Sequence, residues 1–347
     1  DMAKLKAEIE HEYHQRNGAS LRDQLFASVG TLSSVGSTLA PLSNWAAKLP
    51  GARTLMEWTL GIARERSLPT FHGESLEDWF VARGGPAVPE AEADRRVMLF
   101  PDTYTNYNHP AAGRAAVEVL EAADVHVRIP GDVTASGRPA HSKGFLDVAR
   151  RRARTNVDAL SPHVRDGWDV VVVEPSDAVM FQSDYLDLLS AGREVQRETD
   201  PGSAPGEVDH LGDVDRVAAN TYGVCEYLDA FDLAVDLPTD GDGSLTYHGH
   251  CHQKATKKDG HAVAVLREAG YAVDELDSGC CGMAGSFGYE AEHYSMSRAI
   301  ADILFDQIDD SDGDEVVAPG ASCRTQLEDG RGEEPPHPIE KVAAALR

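Results

Sequence analysis

Two adjacent cysteines occur within a glycine-rich stretch of this sequence, Ser278-Gly279-Cys280-Cys281-Gly282-Met283-Ala284-Gly285-Ser286-Phe287-Gly288-Tyr289. Glycines let the backbone approach a bulky ligand closely. Neighbouring cysteines seldom form a disulfide with each other, because the short ring strains the peptide between them. Two adjacent thiolates can instead bind neighbouring metal atoms of one cluster. The stretch therefore indicates a metal site, and further ligands must come from elsewhere in the chain.

The stretch lies within a pattern of alternating strands and helices. Short apolar runs predict buried strands at 97–100, 125–129, 168–173, 245–247, 272–276 and 315–318. Helices are predicted between them, at 111–123, 146–160, 215–230, 260–269 and 290–305. Such alternation implies parallel sheets, which bind ligands at the carboxyl ends of their strands. The predicted fold class is α/β.

The two halves of this pattern align with each other. Three segments correspond: 115–122 with 262–269, Ala135-Ser136 with Cys280-Cys281, and Asp177 with Cys323. The spacings are 30 and 41 residues in the first half, counted from Thr105, against 29 and 42 in the second, counted from Cys251. An internal duplication is the simplest account. We therefore expect two duplicated parallel-sheet modules, preceded by a helical amino-terminal segment.

Four segments are expected along the chain. These are a helical segment (1–81), a first module (95–195), an acidic loop with a connecting helix (196–240) and a second module (241–347). The chain begins with Asp1, directly in a helical pattern, so we expect it to be a piece of something longer.

The second half supplies four cysteines, and each follows the end of a predicted strand. Cys251, Cys280, Cys281 and Cys323 should therefore converge at one edge of the sheet. Four thiolates match a [4Fe–4S] cluster and equally a structural zinc ion. The adjacent pair favours the cluster, because zinc motifs normally space their ligands by two or more residues. Buried or redox-active thiols without a metal are the third interpretation.

Two glycines of the same turn are further candidates for cofactor binding. Gly282 and Gly285 would let backbone amides point at cluster sulfur, which tunes the reduction potential. No catalytic acid or base is predicted, because electron transfer requires placement of a cluster rather than proton transfer by a side chain.

The first half lacks thiols at the corresponding positions. Thr105, Ala135, Ser136 and Asp177 stand where the second half has its cysteines. Alanine and hydroxyl side chains cannot replace thiolate ligands of iron. We therefore expect the first module to be free of metal and to pair with the second.

Several other polar residues near Cys251 have more than one interpretation. His248, His250 and His252 would share one face if the strand continued. They would be zinc ligands, a proton relay, hydrogen-bond donors to the metal ligands, or plain surface residues. The lysines at 254, 257 and 258 would steer an anionic redox partner, offset the charge of a thiolate-bound cluster, or form a solvated helix start. Cys225, in a helical pattern, is predicted to be a small core residue.

Composition narrows the functional class. The chain has 58 acidic and 32 basic residues among 347, a net charge of −26, which argues against nucleic-acid binding. A dense acidic surface suits a halophilic protein, because high salt screens the charge. There is no apolar run long enough to span a membrane and no signal segment. The odd cysteine count argues against a disulfide framework and for a reducing, cytoplasmic compartment.

One stretch departs from this composition. Residues 24–47 carry no charge, although 26% of the chain is charged. The stretch either packs on the chain's own core or forms an interface. The interface would be with a missing domain, a quinone-carrying partner or, as a peripheral contact, the inner face of a membrane.

Three segments resemble a known family. They are His248-Gly249-His250-Cys251-His252-Gln253-Lys254, Cys280-Cys281-Gly282-Met283-Ala284-Gly285-Ser286-Phe287-Gly288 and Ala318-Pro319-Gly320-Ala321-Ser322-Cys323-Arg324. They resemble the cysteine-rich CCG-domain proteins, above all the carboxyl-terminal iron–sulfur part of FAD-linked glycolate or D-lactate dehydrogenases. The iron–sulfur subunit of anaerobic glycerol-3-phosphate dehydrogenase and the cysteine-rich subunit of heterodisulfide reductase are related. The acidic composition resembles a haloarchaeal member.

The resemblance implies a function and its partners. It implies that the four second-half cysteines bind a [4Fe–4S] cluster and pass electrons to an acceptor such as quinone. FAD and ferredoxin-type clusters would lie on domains that precede Asp1 or on a partner chain. The first module departs from the family pattern, since Ala135-Ser136-Gly137 replaces a Cys-Cys-Gly turn. The alternatives are a zinc-stabilised interaction scaffold and a thiol–disulfide reductase that uses Cys280 and Cys281 directly.

Overall fold

Parallel strands form two sheets in this protein. The computed structural model describes residues 2–47, 49, 51–190, 206–235 and 237–347. For residues 206–211 it describes the backbone only. The strands are β1 (Arg95–Phe100), β2 (Val125–Arg128), β3 (Asp169–Val172), β4 (Thr221–Gly223), β5 (Ser244–Tyr247), β6 (Ala272–Glu275) and β7 (Glu315–Val317). The first sheet has the order β2-β1-β3-β4 and the second the order β6-β5-β7. The predicted α/β class is confirmed.

The two sheets repeat one arrangement. In each, the first strand of the module is central, with the second strand on one side and the third on the other. Leu99 lies opposite Val171 in the first sheet, and Tyr247 lies opposite Val317 in the second. These strands form because their apolar side chains are buried against helices on the sheet faces. The repeated order supports an internal duplication.

Helices surround the sheets. The amino-terminal segment contains α1 (Met2–Asn17), α2 (Leu21–Ala27), α3 (Val29–Thr38), α4 (Leu42–Ala47), α5 (Ala52–Leu60) and α6 (Leu76–Ala82). Around the first sheet lie α7 (Thr103–Tyr107), α8 (Pro110–Ala122), α9 (Arg138–Ser142), α10 (Leu146–Arg165), α11 (Pro175–Val179), α12 (Gly206–Ala219) and α13 (Val224–Ala230). The second sheet has α14 (Cys251–Thr256), α15 (Gly260–Glu268), α16 (Tyr294–Asp309), α17 (Ala321–Arg331) and α18 (Pro338–Ala345).

Two predicted helices have different limits in the structure. The helix expected at 215–230 is interrupted, because Thr221–Gly223 pairs with β3 as strand β4. The helix expected from Glu290 begins at Tyr294 instead, because Glu290 is extended and bridges to Ile62. The end of the predicted first module, at 191–195, and the first part of the predicted acidic loop, at 196–205, lie outside the described residues.

One hydrophobic core joins the two modules. It contains Leu99 of the first sheet and Tyr247 of the second, together with residues of α8, α15 and α18. The carboxyl-terminal helix α18 thus buries Ile339 and Val342 against helices of both modules. This shared core fixes the first module beside the cysteine-containing edge of the second.

Candidate metal centre

The four cysteines of the second module come together in space. Cys251 is the first residue of α14, Cys280 and Cys281 lie in the turn after β6, and Cys323 lies in the first turn of α17. The thiols contact one another in series: Cys251 with Cys280, Cys280 with Cys281, and Cys281 with Cys323. The predicted convergence is therefore seen in the structure. Their role as metal ligands remains a prediction.

A histidine extends this set of donors. A ring nitrogen of His248 and the sulfurs of Cys281 and Cys323 all lie within 4.8 Å of one another, and all three residues are buried. His248 Nδ1 lies 2.7 Å from Ser278 Oγ, and Nε2 has no oxygen or nitrogen partner among the described residues, so the Cys323 thiol is the group with which it can interact. A buried nitrogen without a partner is costly, so it is a candidate for ligation or for a hydrogen bond to a ligand.

The three histidines do not share one face of a strand, because the strand does not continue to them. β5 ends at Tyr247, because the chain turns there into α14. His250 caps that helix, and its Nδ1 accepts the backbone N–H of His252 at 3.3 Å. Of the three histidines, only His248 belongs to the group of potential metal ligands found among the described residues, together with Cys281 and Cys323.

Hydrogen bonds between the thiols create an uneven charge pattern. Bonds from the Cys251 and Cys281 thiols, helped by the amide of Gly282 at 3.4 Å, lower the pKa of Cys280 to about 2. The bond from Cys281 and the nearby His248 lower the pKa of Cys323 well below its usual value. The pKa values of Cys251 and Cys281 are raised, because each donates to a neighbouring sulfur. Four thiolates at this separation require a cation among them, so the donor set fits a thiolate-bound metal.

The glycines of the turn are packed on one side and open on the other. Gly282 has φ +92°, and a Cβ there would lie 2.3 Å from the backbone oxygen of Ser297 in α16. Gly285 has φ +66°, and no atom of the described residues lies within 4 Å of the Cβ position there or at Gly279. The turn therefore rests closely on α16 and leaves room beside the cysteines, which fits a bulky group.

Lys254 holds the segment that leads into the cysteine turn by hydrogen bonds to its backbone. Its Nζ donates to the backbone oxygens of Ser278 at 2.6 Å and Leu276 at 3.2 Å. Lys258 pairs with Glu226, so two of the three lysines already have protein partners. Cys225 is a core residue, as predicted, and burial raises the pKa of its thiol to about 12.

The corresponding position of the first module is closed by a hydrogen bond. Ser136 Oγ donates to Asp177 Oδ1 at 2.6 Å, where the second module has the contact between Cys281 and Cys323. Both residues of the first module are buried. The duplicated frame is thus kept, with oxygen in place of sulfur.

Sequence reasoning missed Arg66, which links the amino-terminal segment to this centre. Its side chain is 0% exposed. The guanidinium donates to Gly288 O at 2.7 Å, Ser297 Oγ at 2.5 Å and Asp329 Oδ2 at 3.2 Å, and it also bonds Gln326. It therefore joins the glycine turn, α16 and α17. The sequence gives no signal for this role, because Arg66 lies far from any cysteine in the chain.

We expect Arg66→Met to destabilise the protein by about 3–5 kcal/mol, because the buried Asp329 and several hydrogen-bond acceptors lose their partner. Chemical denaturation measures this loss. Arg64→Met is the control, since Arg64 is 56% exposed and its ion pairs contribute about 1 kcal/mol or less. Equal stability of the two variants would show that Arg66 does not tie these elements together.

Helix α3, within the uncharged stretch 24–47, buries its small residues and exposes apolar ones, the reverse of the pattern expected of a helix on a water-exposed surface. α3 buries Gly30, Ser33, Gly36 and Ser37 and exposes Leu32 and Val35. The exposed apolar side chains continue through Leu39, Leu42, Trp45, Leu55 and Trp58, with Trp45 at 64% and Trp58 at 83%. We call this set the apolar face. No described helix has the length and apolar character needed to cross a membrane.

Part of the chain matches a known family model. Residues 245–328 match the model described as "Cysteine-rich domain" (CCG). They contain the four converging cysteines, so the prediction of a CCG module in the second half is confirmed.

Two of the three relatives described below are a dehydrogenase or a dehydrogenase subunit by name. A subunit of the anaerobic glycerol-3-phosphate dehydrogenase of Escherichia coli (strain K12) is 29% identical over 329 residues, which cover 94% of this chain and 78% of the relative. D-2-hydroxyglutarate dehydrogenase of the same strain is 23% identical, covering 100% of this chain and 32% of the relative. Lactate utilization protein A of an Exiguobacterium species is 25% identical, covering 72% and 95%. The chain is thus similar to a dehydrogenase subunit and to part of a second dehydrogenase.

Proposed function

We propose that this chain is the iron–sulfur electron-transfer module of an FAD-linked 2-hydroxy-acid dehydrogenase, acting on glycolate or D-lactate. The observation that carries the proposal is the unbroken series of contacts between Cys251, Cys280, Cys281 and Cys323. These four residues would hold a [4Fe–4S] cluster, with the backbone of Gly282 and Gly285 beside it. When bound, such a cluster supplies one-electron transfer. The names of two relatives, a dehydrogenase subunit and a dehydrogenase, support a redox role.

The protein's own residues would place and shield this centre. Cys281 and Cys323 are buried, which keeps water from that side of the site. Lys254 fixes the turn through backbone oxygens, and Arg66 ties it to α17. The side that remains open, next to Gly279 and Gly285, is where electrons would enter and leave.

A zinc scaffold is the second candidate, and one observation favours it. His248, Cys281 and Cys323 form a group that zinc could bind, with Cys280 as the fourth ligand. In that case the site would be structural and would carry no electrons.

The electron donor in this proposal lies outside the chain. The chain covers 32% of the length of the D-2-hydroxyglutarate dehydrogenase, so most of that relative lies beyond the matched part. We assign FAD and ferredoxin-type clusters to domains of that kind, in the same protein or in a partner. The acceptor would be a quinone.

The apolar face suggests where in the cell the protein is located. We infer that it rests on the inner, cytoplasmic face of a membrane, where tryptophans such as Trp45 and Trp58 are favoured at the water boundary. The absence of charge over 24–47 fits such a contact. The net charge of −26 would oppose anionic lipids unless salt screens it, which suits a halophilic protein.

One experiment tests acceptor and location together. Protein reduced with dithionite should be reoxidised by a soluble short-chain quinone and by neutral phosphatidylcholine vesicles that contain a long-chain quinone, as followed by iron–sulfur absorbance. Trp45→Ser/Trp58→Ser should react normally with the soluble quinone and about tenfold more slowly with the vesicles, since the exposed indoles supply much of the contact. No reaction with either quinone would refute the acceptor. Equal vesicle rates for both proteins would refute the membrane contact.

A further inference from the structure

One face of the first helix, α1, is apolar and exposed. Met2, Leu5, Ile9 and Tyr13 recur at intervals of three and four residues, so they form a row along the helix. Each of these residues is between 52 and 79% exposed. An exposed apolar patch with polar residues around it typically marks a binding site. We call these four residues the α1 stripe.

The opposite face of α1 is fixed on the first module. Ala7 is 2% exposed. His11 Nδ1 lies 3.0 Å from Gly144 O, and Lys4 Nζ donates to Ser183 Oγ at 2.9 Å. The helix cannot turn its stripe inward without losing these contacts. The α1 stripe is therefore part of the surface of the folded chain.

Helix α10 lies beside α1 and is rich in arginine. It contains five arginines and two aspartates, although the net charge of the chain is −26. Arg150 Nε donates to the backbone oxygen of Leu188 at 3.0 Å, and Lys4 of α1 pairs with the preceding residue, Asp187. The arginine-rich part of α10 thus begins next to the first turn of α1.

Two of these arginines carry charge that no acid compensates. Arg151 and Arg154 are exposed, and no carboxylate of the described residues forms an ion pair with either of them. Arg152, between them, leaves Nη1 without a hydrogen-bond partner in the same ranges. Positive charge of this kind on an acidic protein favours a negatively charged partner. The surface therefore combines an apolar row with a cationic border.

A series of contacts leads from α1 to the cysteine site. Lys4 Nζ lies 3.5 Å from Asp184 Oδ1, and Asp184 pairs with Arg138 of α9. Arg138 Nη2 lies 3.0 Å from His141 Nδ1, and both side chains are near His252 at the start of α14. His252 in turn lies near the first cysteine of the double-cysteine turn. A partner seated on the α1 stripe would therefore be close to the open side of the site.

We propose that the α1 stripe, together with Arg151 and Arg154, is the docking surface for the electron donor, an acidic iron–sulfur protein or domain of the ferredoxin type. The apolar row supplies contact area, and the arginines orient the acidic partner. One electron leaves the reduced cluster of the donor and reaches the cluster at the cysteine site, so the donor is oxidised and the acceptor reduced by the same amount. This inference rests on the proposed function and adds the place where the donor binds.

The test is electron transfer to the oxidised full chain from an acidic ferredoxin with two [4Fe–4S] clusters, reduced and freed of excess reductant, followed by stopped-flow absorbance. Leu5→Ser/Ile9→Ser should lower the second-order rate constant about tenfold, because exposed apolar contact area is lost. Arg151→Glu/Arg154→Glu should lower it by a similar factor at the lowest salt at which the chain stays folded. The effect of the arginine variant should shrink as salt is raised, because the charges are then screened.

Matched controls make the same changes elsewhere on the surface. Val81→Ser/Val235→Ser removes two apolar side chains that are 75 and 62% exposed. Arg331→Glu/Arg347→Glu changes the net charge as much as the α10 variant does, but in the second module. Both should react with the ferredoxin like the wild type. Reduced methyl viologen, which is too small to need a docking surface, should reduce the wild type and all variants at the same rate.

Several outcomes would overturn the inference. Equal ferredoxin rate constants for the wild type and Leu5→Ser/Ile9→Ser would do so, as would a chain that methyl viologen reduces and the ferredoxin does not. If this variant changed only the sedimentation of the chain or its binding to phosphatidylglycerol vesicles, the stripe would belong to a second copy or to a membrane contact instead. A chain without iron–sulfur absorbance would overturn the proposed function itself, and this inference with it.

Discussion

Replacing Cys281 with serine should remove most of the iron and the visible thiolate-to-iron absorbance from anaerobically purified protein, if the proposed cluster is bound there. Cys281 contacts both Cys280 and Cys323, so it occupies the centre of the thiol series. A serine hydroxyl is a poor ligand for iron–sulfur clusters. It would also separate Cys323 from the other two thiols, Cys251 and Cys280. Iron and sulfide analysis together with the absorption spectrum measures the effect, which we expect to exceed tenfold in iron content.

Cys225→Ser is the matched control for this prediction. Cys225 is also a buried thiol, but it lies in the hydrophobic core between the modules and outside the thiol series. Its replacement should leave the iron content unchanged, at some cost in stability for burying a hydroxyl. Equal iron in the wild type and Cys281→Ser would disprove the ligand assignment.

Alanine at Gly282 should prevent the cysteine turn from forming. The residue has φ +92°, which strains any side chain, and its Cβ would lie 2.3 Å from the backbone oxygen of Ser297. Backbone atoms of α16 cannot move away cheaply, so we expect a loss of at least about 3 kcal/mol in unfolding free energy. Iron binding should fall with it. Denaturant unfolding and iron analysis measure the two effects.

Alanine variants of two neighbouring glycines are expected to have smaller effects and serve as controls. Gly285→Ala has the unfavourable φ of +66° but open space, so about 1 kcal/mol is expected. Gly279 has no positive φ and, in the part of the chain that the structure describes, no atom near its Cβ position, so Gly279→Ala should change stability by about 0.5 kcal/mol or less. If all three variants had similar free energies of unfolding, the close packing of the turn on α16 would not contribute to stability.

The convergence of the cysteines could be predicted from sequence because it follows from topology. The carboxyl ends of parallel strands meet at one edge, and Cys251, Cys280 and Cys323 all follow strand ends. The duplication could be predicted for the same reason, since the spacing of Ser136 and Asp177 repeats that of Cys281 and Cys323. The order of strands in the two sheets now agrees with it.

The contacts between segments could not be predicted. Arg66 reaches the glycine turn from the amino-terminal segment, and Glu174 reaches α17 from the first module. Such contacts depend on how whole modules pack, which no local pattern records. Whether His248, His250 and His252 share a strand face depended on where β5 ends, and its end at Tyr247 is set by the turn into α14.

The most direct test of the central claim is metal and acid-labile sulfide analysis, with electron paramagnetic resonance, on the anaerobically prepared chain. We predict iron and sulfide in equal amounts, no stoichiometric zinc, and a paramagnetic signal that changes on reduction. Cys225→Ser should behave in the same way. Stoichiometric zinc without sulfide, or four free thiols without any metal, would contradict the assignment of Cys251, Cys280, Cys281 and Cys323 to an iron–sulfur cluster.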